Sequence, residues 1–549
     1  MSTKYIFVTG GVVSGIGKGI TAASLGCLLK ARGLEVRNQK FDPYINVDPG
    51  MMSPIQHGEV FITDDGAETD LDIGHYERFT DVSLDVESDI TSGMVYRDVI
   101  NREREGGYMG TTVQVVPHII NEIKSHVFCG AKKDKPDVVI IEIGGTVGDM
   151  ESLPYLEAIR QITYQVGHEN VLFLHVTLVP YLKMAGEVKT KPTQHSVQKL
   201  LSLGIQPDIL VCRSEVPLEK SVREKIALYC NIDLDCVIPN LDVDTVYALP
   251  VMLEEEGLAN VICRKLGIAQ FVEPDLRAWY QIIERNRAAH QPVDVALVGK
   301  YVSLHDAYLS VVESLTHASI EMGLDVNLRW VSAEDIEKDG AAAHLDEVDA
   351  VLVPGGFGPR GMSGMIEAAD YARTAEKPFF GIGLGMQMAV VAFARKAAGI
   401  ESAHSTESEI SCQPIFILPD LSIADQNGVS EEGIQLTPEE KPMRRGVCDC
   451  SIKPGSRLQT VYRQDLISER HHHRWEFNMS WKDELQEAGL VFSGLSPDGK
   501  KVEAIELADH PWYIGVIYHP EFKSRPIRPH PLFRDYLKAA LRFRKAKKN

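Results

Sequence analysis

Residues Thr9 to Ile20, TGGVVSGIGKGI, combine glycines with one lysine in the way a phosphate cradle needs. Glycine lets backbone N–H groups turn inward with no Cβ in the way. A helix starting here adds further donors and the positive end of its dipole. Lys18 is placed to reach the outer phosphates of a nucleotide. The usual motif follows its lysine with Ser or Thr, whose hydroxyl helps to hold Mg2+. Gly19 stands in that place, so a metal must draw its ligands from carboxylates elsewhere. A glycine turn with a surface lysine is the plainer reading. The flanking elements favour the cradle: an apolar strand, Tyr5–Val8, precedes it, and a helix with Ala22, Leu25, Leu28 and Leu29 on its apolar face follows.

Hard cations take oxygen ligands, and candidates occur at two places. Asp64, Asp65, Glu68, Asp70 and Asp72 put five acids into nine positions. Such a run reads either as a solvated loop or as a supply of Mg2+ ligands. Glu142 lies in the apolar run Val138–Ile143, where an acid is costly unless a cation pairs with it. That makes Glu142 the stronger Mg2+ candidate, the alternative being a frayed strand end. Asp149 and Glu151 follow in the next loop. Lys189 to Ser196, KTKPTQHS, reads equally as a site for a second polyanion or as an exposed basic loop. Lys225 falls on a helical stretch, where a solvated lysine is the default. His519 and Glu521 stand two apart just after a strand and can project to one side; alone, such a pair is more often structural than catalytic. Cys448 and Cys450, and the three histidines His471 to His473, suggest metal only in isolation.

The elements around these residues alternate strand and helix. Strands are predicted at Glu35–Phe41, Val138–Ile143, Val171–Val179 and Asp208–Cys212. In an open α/β sheet the loops at strand C-termini converge on the ligand, and both the glycine turn and Glu142 lie at such ends. Composition changes near residue 268. The charged helical stretch Glu273–Gln291, closed by Pro292, reads as a connector. A second α/β unit opens at Val293–Tyr301 and continues through Val326–Val331, Ala350–Gly358, Phe379–Gln387 and Ile514–Phe522. The stretch Arg542–Lys548 reads as a fraying, solvated helix end. No internal repeat is present.

At 549 residues the chain is too long for one core. A net charge of −20 excludes the basic field that nonspecific nucleic-acid or membrane binding requires, while leaving room for nucleotides. No apolar run spans a bilayer and no signal-peptide core follows Met1. Nine scattered cysteines suit reduced thiols in the cytoplasm.

Taken together, these stretches resemble the CTP synthase family over essentially the whole chain. The matching strings are Gly10–Ile20, Lys40–Gly50, Ser53–Phe61, Gly66–Phe79, Glu142–Pro154, Lys189–Ser196 and Gly204–Asp208. The resemblance implies a P-loop, Rossmann-like synthetase domain over 1–267, a linker over 268–292 and a class I glutamine amidotransferase domain over 293–549. It implies conversion of UTP to CTP with ATP, Mg2+ and ammonia through a UTP phosphorylated on O4. By matching motifs, Gly15, Ile16, Gly17, Lys18, Gly19 and Ile20 would bind ATP, with Leu241, Asp242 and Val243 on the adenine side. Asp72 and Glu142 would hold Mg2+. Ser14, Lys189, Thr190, Lys191, Pro192, Thr193, Gln194 and Lys225 would bind UTP or the feedback inhibitor CTP, the latter also through Asp149, Met150 and Glu151. The family further implies a homotetramer, filament surfaces and GTP as an activator of glutamine use.

The second half departs from the family. Where the family reads Gly-Ile-Cys-Leu-Gly-Met-Gln, this chain has Gly381-Ile382-Gly383-Leu384-Gly385-Met386-Gln387. Gly383 takes the place of the nucleophilic cysteine and has no atom with which to attack an amide. His519 and Glu521 still match the base and its orienting acid. Gly355 and Gly356 match the oxyanion loop, and Leu384, Gly385, Met386, Gln387, Glu407 and Arg474 match glutamine-binding positions. Other differences lie at Glu440–Gly446, at Arg470–Glu476 and at His404–Ser408. The sequence therefore predicts an ammonia-dependent CTP synthetase with a silent glutaminase domain. The rival expectation is a nucleotide-binding, assembly-forming pseudoenzyme.

Overall fold

The computed structural model describes residues 2–13, 15–133, 135–268, 272–288, 290–408, 412–419 and 443–548. The chain forms two compact units, Met1–Met52 with Glu68–Arg287, and Ser53–Ala67 with Ala288–Asn549.

In the first unit the strands are β1 (Lys4–Gly10), β2 (Val36–Asp42), β3 (Asp89–Thr91), β4 (Val138–Ile143), β5 (Val171–Leu178), β6 (Ile209–Ser214) and β7 (Val237–Leu241). They make one parallel sheet in the order β7-β6-β5-β1-β4-β2-β3. β1 and β4 are buried along their whole length, as strands covered by helices on both faces must be. The helices that matter for the site are α1 (Lys18–Ala31), α2 (Leu71–Thr80), α3 (Ser92–Arg104), α4 (Ile120–Lys133), α5 (Lys191–Ser202), α6 (Lys220–Cys230) and α7 (Arg277–Arg287).

The second unit carries a nine-stranded sheet. Its strands are β8 (Gln291–Gly299), β9 (Leu324–Ser332), β10 (Ala350–Val353), β11 (Phe379–Ile382), β12 (Arg444–Ile452), β13 (Leu466–His473), β14 (Leu490–Leu495), β15 (Val502–Leu507) and β16 (Tyr513–Val516). The order is β9-β8-β10-β11-β16-β15-β14-β12-β13, parallel from β9 to β16 and antiparallel beyond. Helices α8 (Leu309–Met322), α9 (Leu384–Lys396) and α10 (Pro531–Lys548) pack on it.

Ser53–Ala67 clusters with the second unit rather than with the stretches that flank it. Chemistry there explains it. Buried Glu59 accepts hydrogen bonds from Ser310 N (3.0 Å) and Ser310 Oγ (2.7 Å) at the start of α8. Phe61 meets Phe522 edge-on at 5.1 Å, and fully buried Arg470 donates to Asp64 (2.6 Å) and to Ile62 O (3.0 Å). The five-acid run is therefore split, with Asp64 and Asp65 in one unit and Glu68, Asp70 and Asp72 in the other. Within the connecting stretch, α7 buries Trp279 against Phe79, 5.2 Å between ring centroids. Lys191–Ser196 is the first turn of α5 rather than a loop, since proline at a helix start needs no N–H partner. The C-terminal stretch is not a fraying end, because Arg544 of α10 pairs with Asp294 (2.5 Å) and Asp349 (2.7 Å).

Candidate active sites

In the first unit the C-terminal ends of β1, β2, β4, β6 and β7 surround a cleft of about 590 Å3. Gly15 to Ile20, Lys40, Asp72, Glu142 and Leu241 to Val243 line it. Gly15 and Gly17 have φ of +73° and +92°, left-handed values that side chains resist, and Gly17 caps α1. Lys18 folds back over Gly10 and donates to Gly145 O at 2.7 Å. Arg213 donates to Gly15 O and to Asp242, 3.2 Å each, tying the glycine turn to the end of β7.

Gly19 explains itself here. A Cβ on it would lie 2.1 Å from Asp72 Oδ1. The carboxylate of Asp72 thus enters the space where a Ser or Thr side chain would stand, and glycine is what admits it.

Behind the cleft lies a buried charge cluster. Lys40 and Glu142 sit opposite each other on β2 and β4. Lys40 donates to Asp70 (2.6 Å) and to Asp72, with Asp42 3.8 Å away. The Tyr76 hydroxyl donates to Glu142. Burial pulls the Lys40 ammonium down, but Asp42, Asp70, Asp72 and Glu142 together hold it well above the ordinary lysine range. Burial pushes Asp72 up, and Lys40, with His75 and Lys18, more than reverses this, leaving it below the usual carboxylate range. Burial, then the Asp72 charge, raises Glu142 to about 7, and burial raises Asp42 well above its ordinary value. Asp42 Oδ2 and Asp89 Oδ1 are buried with no hydrogen-bond partner. One ammonium does not satisfy this many carboxylates.

In the second unit β11 runs through Gly383 into α9 by a sharp turn with φ +54° and ψ −114°. A Cβ on Gly383 would lie 3.0 Å from His519 Nε2 and 3.5 Å from Gly355 Cα. The His519 Nδ1 faces Glu521 Oε1 at 2.7 Å, and the His519 N–H donates to Arg470 O at 2.7 Å. Gly385 allows the turn, since a Cβ there would meet Val353 O at 1.9 Å. The loop after β10 is held open from both sides: Gly358 N donates to Glu407 (2.5 Å), and buried Lys300 donates to Phe357 O (3.2 Å) and Gly358 O. Burial pulls Lys300 down to about 8. The arrangement holds an imidazole–carboxylate pair aimed at a position with no side chain.

A family model described as CTP synthase N-terminus matches residues 4–268, and one described as glutamine amidotransferase class-I matches residues 303–539. The CTP synthase of Ruminiclostridium cellulolyticum is 55% identical over 544 residues, 99% of this chain and 100% of that one. The chain belongs to the CTP synthase family. The CTP synthase of Clostridium kluyveri is 57% identical, covering 98% of this chain and 99% of its own. A solved glutaminase domain of Trypanosoma brucei CTPS with bound acivicin is 31% identical over 46% of this chain and 94% of its own, with a TM-score of 0.41.

Of the positions that the CTP synthase family pattern singles out, the cleft brings together Gly15, Ile16, Gly17, Lys18, Gly19, Ile20, Asp72, Glu142, Leu241, Asp242 and Val243. It does not include Asp149, Met150 and Glu151, which are exposed, Asp149 accepting from Thr146 N at 3.2 Å. Lys189 pairs with Glu187, Thr190 caps α5, and Lys191, Pro192, Thr193 and Gln194 form its first turn, with Gln194 Nε2 donating to Thr190 Oγ1 (3.0 Å). Lys225 is exposed on α6. Ser14 lies outside the described residues, as do Glu440 to Pro442. Leu384, Gly385, Met386 and Gln387 are buried in the first turn of α9, Gly356 lies 3.7 Å (as a Cβ) from Leu384, and Arg474 is half-buried. Sequence reasoning missed Lys40, Tyr76, Arg213 and Lys300. Lys40 is, like Glu142, a charge inside a buried strand, but the polar run Arg37–Lys40 masks the contrast; the others carried no signal.

Proposed function

We propose that this chain is an ATP-dependent ligase that aminates UTP to CTP with free ammonia, and that its amidotransferase unit does not hydrolyse glutamine. The observation that carries the reading is Gly383: the position facing His519 Nε2 holds no nucleophile. His519 and Glu521 can hold and move a proton, but no thiol stands there to give one up.

In the cleft, the glycine turn and the α1 N-terminus cradle the ATP phosphates and Lys18 swings from Gly145 O to the outer ones. Leu241, Asp242 and Val243 flank the adenine. Lys189, Lys191, Gln194 and Lys225, with Ser14, Thr190, Pro192 and Thr193, take the triphosphate of UTP, or of CTP as inhibitor beside Asp149, Met150 and Glu151. The γ-phosphoryl passes to uracil O4, making it a leaving group. Ammonia then adds at C4 and phosphate departs. Mg2+ suits the donor set, because Asp72 and Glu142 offer hard oxygens within a cluster whose charge exceeds what Lys40 neutralises. When bound, it screens the phosphate charge that develops during transfer.

Glu407, Arg474, Gly356 and the Leu384–Gln387 turn then form a glutamine pocket without chemistry. The protein works in the cytoplasm as a homotetramer, on ammonia present there. CTP formation from ATP and UTP with ammonium salts tests this: the rate climbs with pH as ammonium deprotonates. Nucleotide binding with no CTP under any nitrogen donor would overturn it in favour of a pseudoenzyme.

A further inference from the structure

We propose that a surface cluster on α3 and α4 of the first unit, Asp98, Glu122 and His126, binds a divalent transition-metal ion, with Zn2+ as its best match. One ligand atom from each side chain lies within 4.8 Å of the others. His126 Nε2 is 4.0 Å from Asp98 Oδ2 and 4.0 Å from Glu122 Oε1. It is buried and has no hydrogen-bond partner.

The other ring nitrogen sets up the site. His126 Nδ1 faces Glu87 Oε2 at 3.3 Å. A proton shared there leaves the lone pair on Nε2, pointing at the two carboxylates. Carboxylate, histidine, metal is the order in which imidazole ligands are oriented and made more basic. One nitrogen and two oxygens suit zinc, which binds such atoms at about 2.0–2.2 Å in a tetrahedron, so neighbouring ligand atoms stand about 3.4 Å apart. Closing the two 4.0 Å separations from His126 Nε2, and the third, which is under 4.8 Å, to that spacing takes side-chain adjustments on the order of an ångström. A water completes the shell. Two cations compete: Arg102 donates to Glu122 at 2.8 and 3.3 Å, and Arg97 donates to Asp98 at 3.2 Å. The Arg102 side chain is half exposed, over the Tyr108 ring at 6.0 Å, so a metal that displaces it from Glu122 leaves its charge in water. Among the described residues the one other such group, Asp233, Asp235 and Cys236, has no histidine, and both of its acids are exposed.

The test is zinc binding by the full chain, read by equilibrium dialysis against Zn2+ alone with metal analysis. The wild type retains one zinc per chain more than His126→Ala and Asp98→Asn, each of which weakens that site at least tenfold. Asp98 is partly exposed, so its variant keeps the fold should the histidine change disturb it. Arg102→Ala frees Glu122 and tightens binding. Equal zinc content in the wild type, Asp98→Asn and His126→Ala would overturn the proposal, as would unchanged or weaker binding in Arg102→Ala.

Discussion

Replacing Gly383 by cysteine tests whether the missing sulfur is what silences the second unit. The turn is cut for such a side chain: its Cβ would face His519 Nε2 at 3.0 Å, so the ring gives way by a few tenths of an ångström. Backbone strain opposes it. At φ +54° and ψ −114°, glycine is at ease and cysteine is not, which costs about 1–3 kcal/mol of stability. Catalysis gains far more, since removing a nucleophile from a base-assisted site costs on the order of 10^3-fold or greater in turnover. We expect Gly383→Cys to melt lower than the wild type, to hydrolyse glutamine at least about 10^3-fold faster, and to take up a glutamine-mimicking electrophile at residue 383. Glutamine hydrolysis and intact-mass labelling read both. A folded variant that neither hydrolyses glutamine nor takes the label would refute the reasoning that the turn, base and loop are otherwise intact.

Three further outcomes follow from the geometry. Gly19→Ser puts its Cβ onto Asp72 Oδ1, 2.1 Å away, and overpacking of that kind costs about 1–3 kcal/mol; CTP formation falls at least about 10-fold while melting temperature drops. Glu142 titrates near 7 when folded against an ordinary 4.5, so the folded state holds the proton more tightly. Its contribution to stability is full below about 4.5 and is lost as pH rises through about 7. Thermal melts without Mg2+ therefore show the wild type losing stability across that window relative to Glu142→Gln; parallel curves would contradict this. Arg470→Ala removes a fully buried guanidinium that donates to Asp64 and Ile62 O and destabilises the protein by about 2–4 kcal/mol in urea unfolding, mostly through lost hydrogen bonds and packing.

The α/β class was legible because buried parallel strands leave continuous apolar runs, as Val138–Ile143 does around its one acid. The same contrast made Glu142 stand out, and would have exposed Lys40, its neighbour across the sheet, had the polar composition of β2 not hidden it. The glycine turn was legible for a different reason: its conformations need glycine. What stayed hidden depended on distant contacts. Nothing local tells that Asp64 belongs with Arg470 and Asp72 with Lys40, although the two acids are eight positions apart. Nor does spacing reveal that Gly19 yields its place to a carboxylate brought in by α2, or that Lys300 braces the loop after β10.

The most direct test is the origin of the new amino group. With ATP, UTP and either 15N-ammonium or glutamine labelled with 15N in its amide, mass spectrometry of the CTP formed separates the two sources. Label from ammonium enters CTP and label from glutamine does not, if the position at Gly383 is chemically empty. Efficient transfer of the glutamine amide into CTP would contradict it.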